Sequence, residues 1–185
     1  MSKSVLYPFK INTDFAWGYA WTTELTRRLS GGLSVFSTFD LKNNQSDEPL
    51  ANLYQALADA QGHYIKNFQL LRVGLRPLKS VRTFVPGEFE SNFIEFIRRS
   101  NPDVIVLQSN LLSSELTKRL INSKRKVIVL DQLASLHSLD GGKHKAKWFI
   151  EVMENAAIYN VPHSFFQLIS RDKGLFNVIA DLFRK

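Results

Sequence analysis

Cysteine is missing from all 185 residues, which removes disulfides, thiolate metal sites and thiol chemistry together. Long apolar runs are missing too, and no stretch approaches the ~18 residues that a membrane-crossing helix needs. The opening MSKSVLYPFK offers only the short apolar run VLYPF before Lys10, too little for the central region of a secretory signal. These absences lead to the expectation of a cytoplasmic protein without a membrane partner. Glycine is scarce where it would matter most, with none between Gly87 and Gly141. No GxxxxGK[ST], HExxH or GxSxG motif occurs, so the common phosphate, zinc and serine-nucleophile signatures are absent. The histidines, His63, His137, His144 and His163, share no metal-ligand spacing. Surface or capping roles suit them better than ligation or acid–base work. Neither a metal nor a cofactor is expected, and the chain reads as no enzyme.

What is present is ordinary in bulk: 44% hydrophobic and 22% charged residues, as in a soluble globular domain. The formal net charge is +7. Its densest cluster joins Lys118 and Arg119 to Lys124, Arg125 and Lys126. Cations suit a helix C-terminus and guard an exposed strand against edge pairing. With no aromatic platform beside them, they do not read as a nucleic-acid surface.

The pattern along the chain is strand and helix in alternation. Two short apolar runs, VIVL at 104–107 and VIVL at 127–130, are bounded by polar residues. They suit strands buried on both faces, as in a parallel sheet. Further strands are expected at 4–9, 33–39 and 78–85. Helices are expected at 15–29, where Trp17, Trp21, Leu25 and Leu29 recur every four positions, at 50–71, after Pro86-Gly87, and at 113–121. Asn12-Thr13-Asp14 offers capping oxygens to the first helix. Ser30-Gly31-Gly32 resembles the start of the SGGxDS pyrophosphatase loop but lacks its Asp and lies between helix and strand. It reads as a helix stop, with glycine taking the left-handed turn. Such alternation implies right-handed crossovers and helices on both faces of the sheet.

Beyond residue 130 the character changes. Residues 131–142 read as a linker after a domain at 1–130. Residues 143–185 read as a helix (143–160), a strand (164–169) and a helix. ISRDKGLFNVIADLFRK at the end echoes FVPGEFESNFIEFIRR at 84–99, as a partial second repeat would. One strand cannot bury itself, so it must join this sheet or a partner's. Trp148, Phe149, Phe165, Phe166, Phe176 and Phe183 are candidates for a homodimer or protein-partner surface.

VLYPFKINTDFAWGYAWTTELTRRLSGGLSVFSTF and LKSVRTFVPGEFESNFIEFIRRSNPDVIVLQSN together resemble the universal stress protein family over about residues 3–130. The resemblance implies a doubly wound, adenine-nucleotide-alpha-hydrolase-like sheet of five parallel strands in the order 3-2-1-4-5, often dimerising through the fifth strand. It also implies ATP binding in members that carry Gly-x2-Gly-x9-Gly-Ser/Thr after the fourth strand. Here that place reads Ser109-Asn110-Leu-Leu-Ser-Ser, and Lys10 replaces the acidic residue that usually closes the first strand. The expectation is therefore a binding or regulatory protein of the non-ATP-binding type, acting through oligomerisation or protein partners. The alternative is a nucleotide or other anion held by Phe9, Lys10, Ser109 and Asn110 at the switch point.

Overall fold

Parallel pairing organises this chain. In the computed structural model, which describes residues 2–12, 15–40, 48–68, 78–123, 125–131 and 158–162, every strand lies in one sheet. The strands are β1 (Ser4–Pro8), β2 (Gly32–Phe39), β3 (Ser80–Pro86), β4 (Val104–Gln108), β5 (Lys126–Asp131) and β6 (Ile158–Pro162), in the order β3-β2-β1-β4-β5-β6. The expected five-strand order 3-2-1-4-5 is present, and β6 extends it.

Side-chain alternation along each strand supplies two cores. Val5, Tyr7, Val104, Val106, Ile128 and Leu130 face α1 (Phe15–Arg28) and α2 (Glu48–Phe68). Leu6, Phe36, Ile105, Leu107, Val127 and Val129 face α3 (Phe89–Ser100) and α4 (Ser114–Asn122). All four residues of each VIVL run are buried. Each such aliphatic side chain contributes about 1.5–3 kcal/mol of burial. α1 approaches the sheet at Gly18, where an added Cβ would lie 2.3 Å from the Tyr7 hydroxyl.

The stop of α1 differs in detail from expectation. Ser30, not a glycine, holds the left-handed turn at φ 50°. Its N–H donates to the Arg27 carbonyl at 3.1 Å and that of Gly31 to the Thr26 carbonyl at 3.0 Å, the Schellman pattern. Gly31 is needed for another reason, because a Cβ there would lie 2.2 Å from the Lys3 carbonyl oxygen.

The tail corrects the reading more sharply. Residues 158–160, expected to end a helix, are strand, and β6 pairs in parallel with β5 from Val127↔Ile158 to Asp131↔Pro162. Helical phase over so short a run is weak evidence beside an open sheet edge that satisfies a whole row of backbone groups. The strand therefore joins its own sheet and occupies the edge of β5 through which the family resemblance implies dimerisation. The expected strand at 164–169 lies outside the described residues, as do Trp148, Phe149, Phe165, Phe166, Phe176 and Phe183.

Candidate functional site

The chain leaves β1 toward β2 on one side and β4 toward β5 on the other, so the switch point opens between the C-terminal ends of β1 and β4. The backbone past β1 stays close to the sheet: the Phe9 N–H donates to the Phe36 carbonyl at 2.9 Å, and Ser37 Oγ donates to the Phe9 carbonyl at 2.7 Å. That tether carries Lys10, Ile11 and Asn12 across the mouth of the crevice.

Gln108, the last residue of β4, is 3% exposed. Alternation from Val104 and Val106 directs it to the α1 side of the sheet. Asn12 Nδ2 donates to its Oε1 at 2.6 Å, and its Nε2 lies 3.4 Å from the Tyr7 hydroxyl, which donates in turn to the Phe15 carbonyl at 3.2 Å. One relay of polar groups thus ties the end of β1, the end of β4 and the start of α1. Burying an amide is tolerable only with such partners.

After Gln108 comes a 3₁₀ turn, Ser109–Leu111. Leu111 is buried, and the Leu112 N–H returns to the Ser109 carbonyl at 3.1 Å. Ser113 then caps α4, its Oγ accepting from the Leu116 N–H at 2.9 Å. A phosphate cradle needs successive free amides and no Cβ in the way. This turn carries a side chain at every position and puts one of them into the core.

The proposed ligand residues fall in different environments. Phe9 is fully buried and stacks on Phe15 at 4.5 Å between ring centroids, a core role. Lys10 is exposed, with its ammonium 5.0 Å above the Phe89 ring at the start of α3, a cation–π arrangement. Ser109 is half-buried and Asn110 exposed on the 3₁₀ turn. Lys10 makes its contact with Phe89, not with Ser109 or Asn110. Its neighbour Glu88 caps α3, accepting from the Glu90 and Ser91 N–H groups at 2.8 Å each. Those backbone donors, then the Ser91 hydroxyl and the charge of Lys10, hold the Glu88 carboxyl below its ordinary range.

The Gln108–Asn12–Tyr7 relay is the feature the sequence reading missed. Its one available signal was the two-residue period of β4, which puts position 108 on the same face as the core residues Val104 and Val106.

Away from the crevice, Glu24 is buried on α1 and accepts from Arg28 Nε at 2.6 Å, Arg27 Nε at 3.0 Å and the Tyr64 hydroxyl of α2 at 2.9 Å. Burial alone would raise the carboxyl, but these donors outweigh it and hold Glu24 below its ordinary value. Burial, then the Glu24 carboxylate, pushes the Tyr64 phenol far upward, so it stays a donor. Within the basic cluster Arg119 is paired with Glu115 at 2.8 Å, while Arg125 keeps its charge and donates to the neutral Asn101 amide at 2.6 Å. Burial, then the charge of Lys3, lowers Lys126, while Lys124 lies outside the described residues. Among the described residues, no group of three or more His, Asp or Glu is placed to hold a metal ion. No helix among them is long and apolar enough to cross a membrane.

No protein-family model and no curated protein matches this sequence. Solved structures do. A universal stress protein in complex with cAMP is 12% identical, covers 69% of this chain and 95% of its own, and has a TM-score of 0.47. One from Archaeoglobus fulgidus in complex with dAMP is 13% identical, with 70% and 98% coverage and a TM-score of 0.49. One from Arabidopsis thaliana with AMP bound is 15% identical, with 75% and 97% coverage and a TM-score of 0.39.

Proposed function

We propose that this chain is a universal-stress-protein-like binding or regulatory protein of the non-ATP-binding type, not an enzyme, acting through oligomerisation or protein partners. The observation that carries this reading is Gln108, buried at the switch point and held there by Asn12 and Tyr7. A ligand entering on the α1 side would have to displace it, giving up hydrogen bonds of about 1 kcal/mol each. The glycine-free turn at Ser109–Leu111 adds to this, since a backbone clothed in side chains approaches phosphate poorly. The strand order and the resemblance of residues 3–130 supply the family part of the reading.

The other reading, an anion at the mouth of the crevice, has one favouring observation. At the ends of the first and fourth strands Lys10 and Asn110 are exposed and Ser109 is half-buried. Calorimetric titration with ATP, ADP, AMP and cAMP separates the two. No saturable heat is expected from any of them. Saturable binding lost in Lys10→Glu would replace the first reading with the second.

A further inference from the structure

β6 already occupies the outer edge of β5, so a second copy cannot continue the sheet there. The helices on the α3–α4 face leave a furrow of two adjoining hollows, about 330 and 420 Å³. The first lies toward the helix C-termini, floored by Ile97, Leu116 and Leu120 and rimmed by Arg98, Arg119 and Arg125. The second lies toward the N-termini and is rimmed by Glu88, Glu90 and Glu115. Ile94 and Arg119 line both, so the hollows form one trough, acidic at one end and basic at the other.

On α3 the charges follow a rule. Glu90, Ile94 and Arg98 recur every four residues, so they fall on one line along the helix. The line spans about 12 Å, with the acid and the cation equally far from the apolar centre. Such a line is complementary to itself when reversed. An acidic peptide would be repelled at the Glu90 end and a basic one at the Arg98 end. The chain's own reversed furrow matches both.

We propose that a second copy of this chain docks along the α3–α4 furrow about a twofold axis at Ile94. Each Glu90 then meets the partner's Arg98, while the two Ile94 side chains pack together. This is an isologous contact, in which one patch serves both subunits. Arg98 is available for it, because its present pairing with Glu95 at 2.8 Å is on the surface, with Arg98 77% exposed, and such pairs hold weakly. The inference rests on the oligomerisation part of the proposed function and names the face that carries it.

Sedimentation velocity on the full chain tests it, with Glu90→Arg, Arg98→Glu and the double swap beside the parent. The parent should dimerise, more weakly at high salt. Each single change sets like charges against each other twice and should weaken the dimer by about tenfold or more, and the double swap should restore it. Circular dichroism checks that each variant is folded, and Arg98→Ala serves if Arg98→Glu is not. Single variants that dimerise like the parent would overturn this face and leave oligomerisation standing. A parent that stays monomeric would overturn both, and the nucleotide titration would stand apart from either result.

Discussion

Replacing Glu24 by Gln tests whether a buried ion cluster locks α1 to α2. The carboxylate accepts from Arg27, Arg28 and Tyr64, and its side chain is 2% exposed. Gln keeps the shape but removes the charge and turns one acceptor oxygen into a donor facing other donors. Breaking a buried pair this way costs about 3 kcal/mol, because Arg28, 11% exposed, loses its counter-charge where little water reaches it, while Arg27, 29% exposed, is partly eased by solvent. An exposed pair would cost at most about 1 kcal/mol. For a chain of this size, a 3 kcal/mol loss lowers the Tm by about 6–12 °C. Urea unfolding followed by circular dichroism reads the difference directly. A pH series adds the sign. The folded-state carboxyl is held below its ordinary value of 4.5, so its stabilisation is fully present above that value and is lost as pH falls below it. The gap between parent and variant should therefore be constant at neutral pH and shrink under acid conditions. A loss below about 1 kcal/mol, or a gap that ignores pH, would refute the reasoning.

Two further changes probe the local architecture. Gly31→Ala should destabilise by about 1–3 kcal/mol in urea unfolding, despite relieving glycine's chain entropy, because the new methyl would press on the Lys3 carbonyl. A stabilised variant would contradict the close contact between that turn and the start of β1. Ser113→Ala removes the oxygen that caps α4 and should cost about 1 kcal/mol. No loss in thermal melting would mean that the Leu116 N–H finds another acceptor.

Much of this fold could be read residue by residue. The VIVL runs announced two buried strands because four consecutive branched apolar residues suit few other places. The four-residue spacing of Trp17, Trp21, Leu25 and Leu29 marked α1 because a helix face repeats at nearly that interval, although Trp17 is only half-buried while the other three are buried. These signals are local; the alternation of elements then implied a parallel sheet between helical layers, while the strand order came from the family resemblance. Ser109 and Asn110 were placed after β4 by the same logic.

Contacts across long separations were a different matter. Nothing near Ile158 says that those residues extend a sheet, since a strand of five residues depends on the edge it meets. Nor does a helix stop reading Ser-Gly-Gly reveal that Ser30 takes the left-handed turn while Gly31 makes room for the Lys3 carbonyl. Gln108 meets an Asn12 that is 96 positions away, and Glu24 a Tyr64 that is 40 away. A polar side chain in a sequence carries no sign of whether burial will find it a partner. By itself the sequence determined the periodicities, and through them the layers of helix and sheet. Only the tertiary structure decided which polar groups would meet inside them, because hydrogen bonds depend on positions that the chain acquires only when distant segments pack together.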